Sequence, residues 1–134
     1  MTDILVPISA GELLDKITIL RIKVARMTDA TQLANVRLEL DLLEKTWRDS
    51  GCAQTDLSRE EHALQAVNER LWDIEDRIRA KEASQTFDRD FIELARAVYV
   101  TNDERAAIKK RVNTRLGSRL VEEKSYQPYR RGPT

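Results

Sequence analysis

SAGELLDKITILRIKVARM, residues 9–27, is the stretch that decides the fold. It opens with Ser9 and, three residues on, Glu12. In this capping-box pattern the hydroxyl accepts from the third backbone N–H and the glutamate reaches back to the cap's own N–H. Behind it Leu13, Ile17, Leu20, Val24 and Met27 alternate spacings of four and three, which lays them along one helical stripe. Ile19 and Ile22 widen that stripe, so the helix is expected to be covered on two sides. A first helix is predicted from about Ala10 to Met27.

The same spacing recurs twice. After the turn residues Thr28–Thr31, Leu33, Val36, Leu40, Leu43 and Trp47 form a second stripe, widened by Leu38 and Leu42. A helix is predicted over about 31–49 and should stop at Ser50-Gly51, where glycine supplies the left-handed residue after a helix end. Ser58 and Glu61 repeat the capping box ahead of Leu64, Val67, Leu71, Ile74 and Ile78, which predicts a third helix reaching about Ala83. A third box, Thr101 and Glu104, splits the remaining chain into two shorter helices. One is capped by Asp88 and carries Phe91, Leu94, Val98 and Tyr99. The other carries Ile108, Val112 and Leu116 and stops at Gly117. The short turn between the first two helices makes them antiparallel neighbours.

The expected fold is therefore all-α: an antiparallel, coiled-coil-like body of three long helices with two shorter C-terminal helices. It is read as one domain, with the body over 9–83, a shorter helical part over 87–126 and a loose tail over 127–134. Ahead of the first cap, Ile4, Val6 and Ile8 alternate; so short a segment is not a free strand. It must lie along the helices or pair with another segment or chain.

Composition agrees. With 134 residues, 34% charged, only 4 Gly and 3 Pro, and 5% aromatic, the chain suits long exposed helices rather than sheets. Its one cysteine, Cys52, excludes an internal disulfide, and its one histidine, His62, excludes a di-metal helical bundle, which needs two Glu-x-x-His motifs. His62 lies at a helix start and is expected to be exposed. The Met1-Thr2-Asp3 start and the lack of a long apolar run predict neither signal peptide nor membrane span, and a cytoplasmic protein. No glycine-rich phosphate loop, G-x-S-x-G or CxxC occurs, so no catalytic residue, metal or cofactor is expected.

Net charge is zero, yet residues 105–131 hold nine bases against two acids, +7, leaving −7 on the rest. That segment can meet an external anion, its own acidic body or a second copy. Nucleic acid is not the expected partner, because no aromatic interleaves Arg105, Lys109, Lys110, Arg111 and Arg115 for base stacking.

Polar residues flank the stripes. Glu12, Asp15 and Lys16 occupy the first turns of the first helix. Asn68, Trp72, Glu75 and Arg79 follow the third stripe displaced by one residue. Asn102, Arg105, Lys109 and Asn113 share one face further on. If the three patches converge within about two helix diameters, roughly 20 Å, they form a pocket for a small zwitterion, phosphate or nucleotide-sugar. Otherwise they are interhelical ion pairs that fix register.

The strings SAGELLDKITILRIKVARM, LANVRLELDLLEKTW, NERLWDIEDRIR, FDRDFIELARAVYVTNDERAAIKKRVN and LGSRLVEEKSYQPY together resemble a family of small bacterial proteins of unknown function, from about Val6 to Tyr129. Members are often encoded near glycosyltransferase and cell-surface polysaccharide genes, so the resemblance implies a role beside glycan synthesis and a partner from that pathway. It transfers no mechanism to any residue. The expected function is a non-catalytic interaction or accessory protein, working as a homodimer because the apolar faces of helices one and two exceed what one neighbour covers.

Overall fold

The computed structural model describes residues 2–130. Among them the chain forms four helices and one short 3₁₀ turn: α1 (Ala10–Arg26), α2 (Ala30–Asp49), the turn Cys52–Gln54, α3 (Ser58–Ala83) and α4 (Arg89–Leu116). The architecture is all-α, as the stripes required. No strand occurs among the described residues.

The two shorter C-terminal helices are a single helix. α4 has 28 residues, about 42 Å at 1.5 Å per residue, and is the longest element. Thr101 does not cap it; it is buried in mid-helix. The reason lies in the spacing. Leu94, Val98, Thr101, Arg105, Ile108 and Val112 continue one alternation of four and three, and no Gly or Pro lies between 89 and 116 to break it. The capping box at Ser58 is not formed either. Asp56 accepts from the Ser58 backbone N–H at 3.0 Å and its hydroxyl at 2.7 Å, while Glu61 pairs with Arg21. Only the first box is half realised: Ser9 Oγ accepts from Glu12 N at 3.2 Å, and the Glu12 carboxylate turns elsewhere. Asp29 and Asp88 cap α2 and α4 through their side chains, and Gly51 (φ 81°) and Gly117 (φ 61°) take the left-handed positions after α2 and α4.

The core is a cluster of Leu14, Leu57, Leu64, Val67, Ile108 and Val112, with Trp47, Leu71 and Leu116 against it. It sits where the first half of α1, the first half of α3 and the second half of α4 meet. α1 packs against the other three helices, which uses its wide face within the chain. α2 packs mainly on α1 and buries only Val36. Leu38 and Leu42 stay 63% and 48% exposed. The N-terminal Ile4, Leu5 and Val6 adopt no regular structure and are 77%, 90% and 66% exposed. Among the described residues, then, they neither lie along the helices nor join a strand.

The C-terminal segment folds back over α4. Lys109 and Lys110 pair with Glu122 and Glu123 at 2.8 and 3.2 Å, and the Tyr129 ring lies 4.8 Å from that of Tyr99. Residues 127–130 are exposed and Tyr129 alone is placed against α4, through Tyr99; 131–134 lie outside the described residues. No helix among the described residues is long and apolar enough to cross a membrane.

Candidate functional site: the junction of α1, α3 and α4

α1 begins against the end of α4 with no space between them. A Cβ on Gly11 would sit 2.4 Å from the Lys109 carbonyl oxygen and 3.0 Å from Asn113 Oδ1. Glycine lets the first turn of α1 touch α4 backbone. The N–H groups of a helix's first turn lack the usual partner four residues back, and here Ala10, Gly11 and Glu12 each find another before Leu13 makes the first regular bond. Ala10 N donates to Ser118 Oγ (3.4 Å), Gly11 N to Asn113 Oδ1 (2.7 Å), Glu12 N to Ser9 Oγ and Leu13 N to Ser9 O (3.1 Å). The positive end of one helix dipole also faces the negative end of another.

One turn further along, Asp15 is fully buried. Its Oδ1 accepts from Asn68 Nδ2 and from Arg105 Nε, both at 2.9 Å, and its Oδ2 accepts from Arg105 Nε at 3.1 Å and from Arg105 Nη2. Asn68 Nδ2 also donates to Thr18 Oγ1 (3.0 Å), whose hydroxyl donates to the Asp15 carbonyl (2.8 Å). One carboxylate thereby ties three helices together. The bidentate bond from Asp15 holds the Arg105 guanidinium above its ordinary pKa, although burial pulls the other way.

Beside it, Lys109 Nζ lies 2.6 Å from Glu12 and 2.8 Å from Glu122. Burial pushes Lys109 down, but the two carboxylates outweigh it and leave its pKa raised. The bond from Lys109 holds Glu122 below the usual carboxylate range. At the end of α4, Arg115 bonds buried Glu60 at 3.0 Å and the Asp56 carbonyl at 2.8 Å. Burial pushes Glu60 up; its own backbone N–H and Arg115 more than offset this, so it too is lowered.

The candidate residues therefore part into groups. Asp15, Asn68 and Arg105 share one hydrogen-bond network, Glu12 and Lys109 a second, and Asn113 seals the start of α1. For Glu12, Asp15, Arg105 and Lys109 the alternative of interhelical ion pairs describes what they do. Lys16 points to solvent away from all of these contacts. Asn68, Trp72, Glu75, Asn102 and Arg105, with Ile19, Leu71 and Asp76, line one open groove of about 470 Å³. Buried Asp15 is not part of that wall, nor are Glu12 and Lys109, so this groove takes in only some of the candidate residues. A second groove, about 720 Å³, lies between α4 and the returning C-terminal segment, lined by Tyr99, Asp103, Tyr126 and Tyr129 among others. His62 is exposed.

Sequence reading missed Gly11, Thr18, Glu122 and the Glu60–Arg115 pair. One signal was present: two acids follow the helix-ending Gly117 after a run of bases, the pattern of a chain that turns back on its own helix.

A family model described as a family of unknown function (DUF6165) matches residues 4–134. The chain belongs to that family. Its matched span takes in every residue of the junction and the groove. No curated protein and no solved structure matches the chain.

Proposed function

We propose that the chain is a non-catalytic interaction protein that acts as a homodimer. The observation that carries this is the apolar surface left open at two places, Leu38 and Leu42 one turn apart on α2, and Ile4, Leu5 and Val6 ahead of α1. Isolated exposed apolar residues are ordinary, whereas contiguous groups of them mark interaction surfaces. α1 spends its wide face inside the chain, so the argument for a second copy rests on α2 and the N-terminal segment. A short apolar segment with no partner in its own chain gains most from pairing with another.

The buried charges support a scaffold rather than a reactive site. Each carboxylate at the junction faces a base, and among the described residues no buried side-chain nitrogen or oxygen lacks a hydrogen-bond partner. The basic segment is spent in part in the same way. Four of its nine bases, Arg105, Lys109, Lys110 and Arg115, each pair with an acid of the same chain, which takes that part of the charge from phosphate binding.

Sedimentation equilibrium at micromolar concentration tests the dimer. A mass of twice 15.5 kDa is expected, and a monomer at every concentration overturns it. The resemblance to proteins encoded near glycosyltransferase genes makes a protein of glycan synthesis the partner to seek, by co-purification from the native cell.

A further inference from the structure

The groove at the junction is built differently at its two ends. At one end stands Arg105. Its Nε and Nη2 are committed to Asp15, while Nη1 donates to nothing among the described residues. The Arg105 side chain is partly exposed, at 28%. A buried carboxylate thus fixes two of the three guanidinium nitrogens in place where Arg105 borders the groove. An arginine pinned in this way loses little side-chain freedom when it binds an anion. Asn102, one turn before it on α4, is half-buried at the same wall, and its amide makes no hydrogen bond among the described residues. Two donors are therefore unspent at one place.

The middle of the groove is apolar: Ile19 and Ile22 from α1, Leu71 and Trp72 from α3. The Trp72 ring is held by Arg26, which lies 5.8 Å from the ring centre and is itself anchored to Asp73 at 2.6 Å. The other end carries Glu75 and Asp76. Glu75 meets only the exposed Arg79 of its own helix, at 3.1 Å, and Asp76 has no ion pair among the described residues.

The spacing between the ends follows from α3. Arg105 and Asn68 bond the same oxygen of Asp15, so Arg105 stands at the level of Asn68. Asp76 is eight residues further along the helix, about 12 Å at 1.5 Å per residue. An ordinary α-amino acid, with its charges one carbon apart, does not span that distance. The volume, about 470 Å³, falls within the range of small-molecule clefts, and such sites combine an apolar lining with a few placed polar groups.

We propose that this groove binds an elongated amphipathic zwitterion, its acidic group on Arg105 and Asn102, its apolar chain over Leu71 and Trp72, and its ammonium group between Glu75 and Asp76. The site is separate from α2 and the N-terminal segment, so it stands or falls independently of the dimer.

Three probes of equal length test it on the full chain: 8-aminooctanoate, octanoate and octylamine, each titrated while the backbone amide and the two tryptophan indole resonances are followed. Saturable shifts at Asn68, Leu71, Asn102 and the Trp72 indole are expected, with the Trp47 indole unmoved. The zwitterion should bind roughly fivefold more tightly than either single-ended probe, the scale of one partly exposed ion pair. Asn102→Asp should weaken 8-aminooctanoate and octanoate by about tenfold while leaving octylamine unchanged, since it sets a repelling charge at the acid end only. Glu75→Gln combined with Asp76→Asn should reduce the zwitterion to the affinity of octanoate. None of these three residues belongs to the Asp15 network, so the variants are expected to fold, which their amide spectra check directly. Equal affinity for all three probes, shifts confined to the groove beside Tyr129, or no saturable shift would each overturn the proposal.

Discussion

The junction and α2 are held to the protein by different physics. At the junction three helices exchange charge-assisted hydrogen bonds around a carboxylate that water does not reach. α2 has 20 residues and buries one, Val36, helped by Trp47 at its far end. Its ion pairs, Lys45–Asp49 within the helix and Glu44 with Arg21 of α1, are on or near the surface, where such pairs contribute little. The contrast separates what fixes the fold from what is free to meet another molecule. The junction's core polar groups are consumed internally, which leaves only its groove edge for a small ligand, while a helix that keeps two leucines exposed has something to gain from a second protein surface.

The sharpest way to break this contrast is Asp15→Ala. It leaves Arg105 half-buried without its counter-ion and takes an acceptor from Asn68. Removing one member of a buried ion pair costs about 3–5 kcal/mol, a large fraction of a small domain's stability. Chemical denaturation should show the loss as a lower midpoint at unchanged slope. An unchanged midpoint would mean that the junction is not what holds α1 to α3 and α4.

Gly11→Ala comes next. Its methyl would press into the Lys109 carbonyl, a backbone atom that cannot swing aside. Overpacking costs typically about 1–3 kcal/mol, and here the loss of the Gly11–Asn113 bond is added. Elsewhere in α1 alanine is the better helix former, so a gain in stability would show that the close approach is absent. Hydrogen exchange at residues 10–13 should accelerate in this variant and stay unchanged in α2.

These two positions also show what was legible in the sequence. The apolar stripes gave α1, α2 and α3 to within a residue, because periodicity reports a helix's own buried face. Asp88 and Gly117 were readable because a cap and a left-handed stop are local chemistry. Thr101 misled because S/T-x-x-E is local too, yet a cap needs the backbone to break, and the stripe through Leu94, Val98 and Thr101 does not. The polar faces bearing Asp15, Asn68 and Arg105 were visible as faces. Their pairing depends on the crossing of three helices, which no single helix encodes. Gly11 gave no sign that its missing side chain mattered, since the atom it makes room for lies 98 residues away at Lys109.

A milder test uses pH. Glu60 and Glu122 have folded pKa values below their ordinary value of 4.5. Folding therefore favours their charged forms. The stability this adds is fully present above about pH 4.5 and is lost as pH falls through the lower folded values. Denaturation midpoints should be flat near neutrality and decline below that point. Glu60→Gln should lower the midpoint at pH 7 and reduce the decline on acidification, because the part-buried ion pair with Arg115 is then absent at every pH. Glu122, nearly half exposed, is discounted for solvent screening and should contribute the smaller share, well under about 1 kcal/mol. A decline as steep in Glu60→Gln as in the parent would place the acid sensitivity elsewhere.

The smallest effect on folding, and the one that separates the two regions most cleanly, is expected on α2. Leu38→Glu and Leu42→Glu place charge on side chains that are already about half or more in water, so unfolding measured at low protein concentration should move by no more than about 0.5 kcal/mol. The same substitutions should shift sedimentation toward 15.5 kDa, since a charge buried in a contact between copies costs far more than one in water. If instead both variants lose stability as Asp15→Ala does, α2 is packed against its own chain and the surface proposed for a second copy is part of the fold. If neither stability nor mass changes, α2 is simply exposed, and the dimer argument falls back on Ile4, Leu5 and Val6 alone.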